Sequence, residues 1–323
     1  MSKIALAHVA AATAALSAGA AVVATRYVVG ETDPAALALY RYIISIVCFA
    51  PILPFIWPSH RLAASDYATI AMLGVVFFGL FPWAFNASLQ YIPAARGAVG
   101  LATIPIQTLI VAALFGREPI TRPKVLGVTL AFFGIMIVYG PEAAAVAFQG
   151  ALRGDILMLL GALCAAIYSV FSRAVLERHG ALFVTALAMM SAVLALLPIV
   201  HLQTGLLPLP SFSAKGWIAV IFLGTCAGAI QFSLFTWALR WLSPTTTVLY
   251  LTLNPVSAML LGHLLMNEQL TLALVASLML VLSGIFVGSG ILTAVSPGRR
   301  KGHAPPERVF KTPAAGTHRE KTS

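Results

Sequence analysis

The stretch Leu242 to Thr271, LSPTTTVLYLTLNPVSAMLLGHLLMNEQLT, repeats Ile92 to Thr121, IPAARGAVGLATIPIQTLIVAALFGREPIT, at a constant distance of 150 residues. Pro255 falls on Pro105, Glu268 on Glu118 and Thr271 on Thr121 without a gap. The same offset carries Gly74 onto Gly224 and Gly134-Ile135 onto Gly284-Ile285. Nearer the start of each half the offset becomes 147, where Pro51-Ile52 meets Pro198-Ile199 and Arg26 meets Arg173. A three-residue length difference in the loop after that proline accounts for the change. The chain is therefore a duplicated unit.

What solvent the duplicated unit folds in follows from composition. The sequence is 60% hydrophobic and 9% charged, with a mean hydropathy of +0.94. A soluble domain of this length cannot hide so much apolar surface, so most of the chain faces lipid. A span needs about 20 apolar residues. Ten candidates meet that need, near 5–28, 35–56, 67–87, 93–115, 122–140, 154–176, 181–201, 215–239, 244–266 and 271–292. The first could pass for a signal peptide, but its counterpart in the second half marks it as a retained span.

Five spans per half is an odd number, so the second copy enters the membrane inverted relative to the first, as in many secondary transporters. Charge orients the pair. With both termini cytoplasmic, fifteen basic residues lie inside, seven of them in the last 25 residues, against Arg26, Arg96, Arg153 and Lys215 outside. The predicted fold is an all-α, multi-pass integral membrane protein of the plasma (bacterial inner) membrane. It has ten transmembrane helices in two inverted five-helix repeats. The first repeat covers 1–140, a linker 141–152, the second repeat 153–292 and a basic, disordered cytoplasmic tail 293–323.

Several function classes drop out. Cys48, Cys164 and Cys226 lie in apolar runs without Cys-x-x-Cys spacing, which leaves no disulfide or metal framework. No Walker-type phosphate loop, HExxH or nucleophile elbow occurs, and no acid/base pair lies at membrane depth. No ATP-driven pump, metalloenzyme or other enzyme is predicted, and no cofactor is required. The basic tail reads as a solvated segment beside anionic lipid in preference to a nucleic-acid arm.

Arg41 stands inside an apolar span, about 10 Å from the helix end at the α-helical rise. A charge at depth costs at least about 2.5 kcal/mol, and its counterpart in the repeat is Ala188. It reads either as a cavity cation that holds a substrate carboxylate, or as a snorkelling or carbonyl-bound structural pin. Pro105 and Pro255 sit mid-span and remove helical hydrogen bonds, which suits a kink needed for packing or a hinge at the cavity. Glu118 and Glu268 occupy equivalent positions at opposite faces, as helix-end caps or gate salt bridges, and no proton-coupling site is evident. Trp83, Gln107, Gln231, Tyr250 and Asn254 are the expected neutral cavity-lining groups. Gly224-x-x-x-Gly228 and Gly284-x-x-x-Gly288 suit close helix approach within the chain or in a homodimer.

The Arg41-Tyr42 pair, the two five-span halves and the repeated P-x(12)-E stretch at Pro105/Glu118 and Pro255/Glu268 resemble the EamA branch of the drug/metabolite transporter superfamily. The Glu118-Pro119-Ile120-Thr121 and Glu268-Gln269-Leu270-Thr271 turns carry the same resemblance, over about 1–292. It implies a central cavity closed alternately from each side and a small-molecule substrate, an amino acid or other metabolite, often exported. The expected function is thus a secondary transporter. The competing reading is a non-transporting scaffold that holds a partner through its basic tail.

Overall fold

The computed structural model describes residues 2–28, 31–32, 34–58, 62–88, 91–92, 94–145, 151–204, 212–266 and 272–289. Every regular element among them is helical. The first half begins with α1 (Lys3–Val28) and α2 (Pro34–Phe49), the latter followed by one short turn, Leu53–Ile56. Next, α3 runs from Ala64–Gly74 through Val75–Leu80 into Phe81–Ser88. α4 comprises Ala94–Leu101 and Ile104–Leu114, and α5 is Arg122–Ala145. The second half holds α6 (Ala151–His179) and α7 (Ala181–Thr204), then α8, composed of Ala214–Gly224, Thr225–Ile230 and Gln231–Trp241. It ends with α9 (Pro244–Leu249, Tyr250–Thr252 and Leu253–Met266) and α10 (Leu272–Gly288).

Among the described residues, seven helical stretches are long and apolar enough to cross a membrane, in α1, α3, α4, α5, α6, α7 and α8, and α2 and α10 hold shorter apolar helices. Local sequence sets several ends. Pro51 cannot continue α2, whereas its repeat partner Pro198 is carried inside α7. α5 continues through Pro141 to Ala145, and α6 starts at Ala151, so the expected linker is helical at both ends. Gly180, at φ +87°, makes the one-residue turn between α6 and α7. Ser213 and Ser243 cap α8 and α9, accepting bonds from the Gly216 and Thr246 amides at 3.0 and 3.3 Å.

The two halves interlock. At Gly74 a Cβ would run into the backbone of Ala188, so α3 of the first half lies directly on α7 of the second. At Gly224 it would meet Ile44 at 2.5 Å and the Arg41 carbonyl at 3.0 Å, placing α8 on α2. Gly224 is the repeat partner of Gly74, and Arg41 that of Ala188, so the second contact is the first with the halves exchanged. The fifth helices obey the same exchange: a Cβ at Gly134 would lie 3.0 Å from the Ser277 carbonyl, and one at Gly284 2.6 Å from the Gly127 carbonyl. Positions 134 and 127 map onto 284 and 277 at the 150 offset. Gly224, Gly228, Gly284 and Gly288 all make their close approaches inside the chain.

The backbone departs from α geometry at equivalent places too. Val75–Leu80 and Thr225–Ile230 are π turns exactly one repeat apart in number, 150 residues. α4 breaks at Ala102–Thr103, and α9 tightens to a 3₁₀ turn at Tyr250–Thr252. Pro105 consequently stands in the first turn of the segment Ile104–Leu114, where its missing N–H is tolerated. Pro255 stands likewise at the third residue of Leu253–Met266.

Substituting Gly284 by Ala presses a methyl group onto the Gly127 carbonyl. Overpacking of that kind costs about 1–3 kcal/mol. The purified variant should melt at a lower temperature than the parent in the same detergent. An unchanged melting temperature would show that the α5–α10 contact does not constrain the fold.

Candidate functional site

The π turn in α8 explains what Arg41 touches. The Gln231 amide reaches back to the Cys226 carbonyl, five residues away, and skips the Ala227 carbonyl that an α-helix would use. Arg41 Nη2 donates to that freed Ala227 oxygen at 2.5 Å. One turn further on, Ser45 Oγ donates to the Gly224 carbonyl at 2.7 Å. In the first half the Phe81 amide likewise skips to Val76, freeing the Phe77 carbonyl, but the residue that corresponds to Arg41 is Ala188 and has no donor to offer. The structural-pin reading of Arg41 is therefore realised for one of its five N–H donors. Its buried Nε has no hydrogen-bond partner.

The guanidinium carbon lies 5.8 Å from the Phe232 ring centroid and 5.9 Å from that of Tyr42. Behind them, Phe78 packs edge-on against Phe232 at 4.9 Å, and Phe77 stacks on Tyr168 at 4.4 Å. This aromatic cluster joins α2 and α3 of one half to α6 and α8 of the other. Tyr168 is fully buried and its hydroxyl has no partner, and the buried Gln231 Oε1 has none either. Arg41 thus binds α8, the helix that carries Gln231, and both residues keep unused hydrogen-bonding capacity.

Tyr250 and Asn254 belong to a second cluster, where α9 packs on α1. Tyr250 Oη lies 2.9 Å from His8 Nδ1. Ser257 Oγ donates to the Asn254 and Leu16 carbonyls at 2.9 and 3.4 Å, while the buried Asn254 Oδ1 has no partner. An open groove of about 460 Å³ between α1, α8 and α9 is lined by Ser17, Ala20, Phe222, Cys226 and Ser257 among others. Gln107 lies elsewhere, with its amide on Thr103 Oγ1 at 3.1 Å and the Leu159 carbonyl at 3.4 Å. Trp83 is 42% exposed on α3. The Pro255 carbonyl accepts from Tyr139 Oη at 3.5 Å.

The end of α4 supplies the clearest carboxylate. Glu118 is 4% exposed. Its Oε2 accepts from the Thr245 amide at 3.1 Å and the Thr245 hydroxyl at 3.0 Å, and Lys124 Nζ lies 2.6 Å from Oε1. It therefore caps the N-terminus of α9 in the other half, where the helix dipole favours negative charge. Burial pushes the carboxyl pKa up, but the bonds from Lys124, Ser243 and Thr245 outweigh that push and hold it below the ordinary value. Glu268 lies outside the described residues.

Five further polar residues at helix ends meet in two separate groups. Asp66 in the first turn of α3 meets His179 Nε2 at 2.7 Å and Arg178 Nη1 at 3.0 Å, both at the end of α6. Glu31, just after α1, accepts from the Ser213 amide and hydroxyl, each at 2.8 Å. The repeat offset would have found half of this, since 31 maps onto 178. The partner residues share no residue type, which hid the rest.

The described residues form an all-helical bundle of two interlocked copies, and comparison with known proteins identifies the family that has this architecture. The EamA-like transporter family model matches residues 5–140 and again 152–289. The chain belongs to this family, and with it to the drug/metabolite transporter superfamily. It is a multi-pass plasma-membrane protein of a transporter family. A protein of Archaeoglobus fulgidus described as an uncharacterized transporter is 29% identical over 83% of this chain and 93% of its own length. The uncharacterized inner membrane transporter YedA of Escherichia coli K12 is 30% identical over 57% of this chain and 58% of its own. A crystal structure titled only as that of a protein superposes with a TM-score of 0.73 at 20% identity, covering 89% of this chain and 97% of that one. That likeness shows the fold.

A carboxyl held below its ordinary pKa stabilises the fold above the ordinary carboxylate range. That stability is lost as pH falls through the lowered value. The parent should therefore lose thermal stability on acidification more steeply than Glu118→Gln. The substituted protein should be less stable at neutral pH. Parallel pH–melting curves for the two would show that Glu118 is not the capping charge.

Proposed function

We propose that this chain is a secondary transporter that exports amino acids or other small metabolites by alternating access between its two inverted halves. The observation that carries the proposal is Arg41: a guanidinium inside an apolar helix, with one N–H spent on the Ala227 carbonyl and a buried Nε left unpaired. A cation so placed at the seam between the halves suits a ligand carboxylate once the seam opens. Gln231, with an unused carbonyl oxygen, and Tyr250 and Asn254 across α1 supply neutral hydrogen bonds, and Gln107 and Trp83 complete the lining from the first half. The breaks preceding Pro105 and Pro255 serve as hinges. Glu118 braces a helix end that moves, and the sequence repeat assigns the equivalent role to Glu268, which lies outside the described residues.

The reading includes ten spans with both termini in the cytoplasm. In support, Lys124, Arg173, Arg178 and Arg240 gather near one end of the bundle with Asp66, Glu118 and Glu177, consistent with a basic cytoplasmic face. The description of the Escherichia coli relative supports the bacterial inner membrane, and the family resemblance, in which substrates are often exported, supports the export direction. Nothing in the site calls for a cofactor.

Arg41→Ala should abolish transport of a carboxylate substrate in protein that still reaches the membrane, and Arg41→Lys should keep part of it, because a lysine retains the charge but loses the fork geometry. Reconstituted vesicles loaded with a labelled amino-acid mixture provide the assay. Full transport by a folded Arg41→Ala protein would remove Arg41 from the site. Impermeant labelling of single cysteines beside Glu118 and Glu268 in intact cells tests the topology, which requires that the two lie on opposite sides.

A further inference from the structure

Two helix-end junctions occupy equivalent places at opposite ends of the bundle. α8 spans the distance between them: Ser213 at its start meets Glu31, and Arg240 at its end donates to the carbonyl of Glu177, two residues before His179. Each junction ties the end of the first helix of one half to the start of the third helix of the other. Position 31 corresponds to 178 at the 147 offset, and position 66 to 216 at the 150 offset. A Cβ at Gly216 would land on the Glu31 carboxylate. The carboxylate therefore sits at the same spot in both junctions but comes from opposite partners. Asp66 is carried by the third helix, and Glu31 reaches over Gly216 from the end of the first. In each case it stands at a helix N-terminus, where the amide dipoles favour it.

The two junctions are not of equal strength. Asp66 is 7% exposed and His179 8%, and the carboxylate faces both His179 at 2.7 Å and Arg178 at 3.0 Å. The other charges beside it are Glu177, held by Arg173 at 2.8 Å, and Arg240 on the Glu177 carbonyl at 3.2 Å. The Glu31 junction is open to water and rests on the amide and hydroxyl of a single neutral residue, Ser213. The Arg178 side chain is itself 56% exposed, but a carboxylate withdrawn from water beside a cation and a buried histidine is still held more tightly than one bonded to neutral donors in water.

We propose that Asp66–Arg178/His179 and Glu31–Ser213 are the two gates of the carrier, and that their inequality biases the ligand-free protein toward opening at the Glu31 end. The inference rests on the alternating-access reading, and adds which contacts must part at each end and which part first. Under the assigned topology the Asp66 gate is cytoplasmic, so the resting protein faces outward.

The test reads each end separately in full-length protein purified in detergent, with Cys48, Cys164 and Cys226 replaced by Ser. A single reporter is introduced by Ala35→Cys beside the Glu31 gate or Ala181→Cys beside the Asp66 gate. Both positions are buried, at 8% and 4% exposure, so maleimide labelling reports opening. In the parent the reporter at 35 should react faster than that at 181. Asp66→Asn should raise the rate at 181 about tenfold or more relative to that at 35, and Glu31→Gln should shift the ratio the opposite way. A rise at both reporters together, no change at either, or equal parent rates would overturn the proposal. Labelling needs no solute to be moved. Ratios that follow the substitutions in a protein without transport would keep the gates and sink the carrier reading instead.

Discussion

Backbone contact between α3 and α7, with its exchanged copy between α8 and α2, is the constraint on which the rest of the molecule depends. Lipid offers helices no hydrophobic reward for pairing, because acyl chains are as apolar as leucine. What holds them is the dispersion energy of surfaces brought close enough to touch, and that requires residues without side chains at the contact. Gly74 and Gly224 provide it, and each sits against a helix of the other half. The halves are therefore not two domains laid side by side. Each contributes a helix to the packing of the other, and the alternating-access motion proposed above would turn about these two contacts rather than part them.

The two π turns show where the copies have diverged. Each releases a backbone carbonyl one turn after the glycine contact, at Phe77 and at Ala227. A freed carbonyl in an apolar interior is expensive unless it finds a donor. The second half meets this need with Arg41, which accounts for a charged residue in a span whose repeat counterpart carries Ala188. A guanidinium brings more donors than one carbonyl can accept. The same residue that repairs the backbone thus leaves hydrogen-bonding capacity at the seam, and the aromatic faces of Tyr42 and Phe232 shield it without using it. Structural and ligand-binding readings of Arg41 are consequently complementary.

Much of the architecture was legible in the sequence because it is written in residues with a single physical use. Glycines at a fixed offset announced the close approaches, and apolar runs announced the long helices. Cavity candidates were harder to read, since an amide or an aromatic ring has several uses. Gln107 turned out to bond Thr103 and Leu159 on its own side of the seam, while Gln231 shares α8 with the Arg41 contact. The π turns have no side-chain signature at all, as VVFFGL and TCAGAI share no residue at equivalent positions. The capping of α9 by Glu118 depends on a residue 127 positions away, which no local pattern encodes. The break before Pro105 shows a related limit: the proline marked the irregular stretch, but not whether it would kink one helix or start another.

The distribution of polar contacts along the bundle argues for where movement is cheap. Among the described residues, three carboxylates of the first half, Glu31, Asp66 and Glu118, each bond to the second half at helix ends. When such a contact parts, water replaces it, so that the net cost of each bond is about 0.5–1.5 kcal/mol, or about 1.5–3 kcal/mol with a charged group. Midway along, the seam consists of Phe77, Phe78, Tyr168 and Phe232 in direct ring contact. Separating those rings forfeits dispersion contacts that water cannot restore. The bundle is thus soft where it is wet and stiff where it is dry. In the alternating-access reading proposed above, that gradient favours a rocking motion that parts the helix ends first and the aromatic centre around Arg41 last, with the glycine contacts as its pivot.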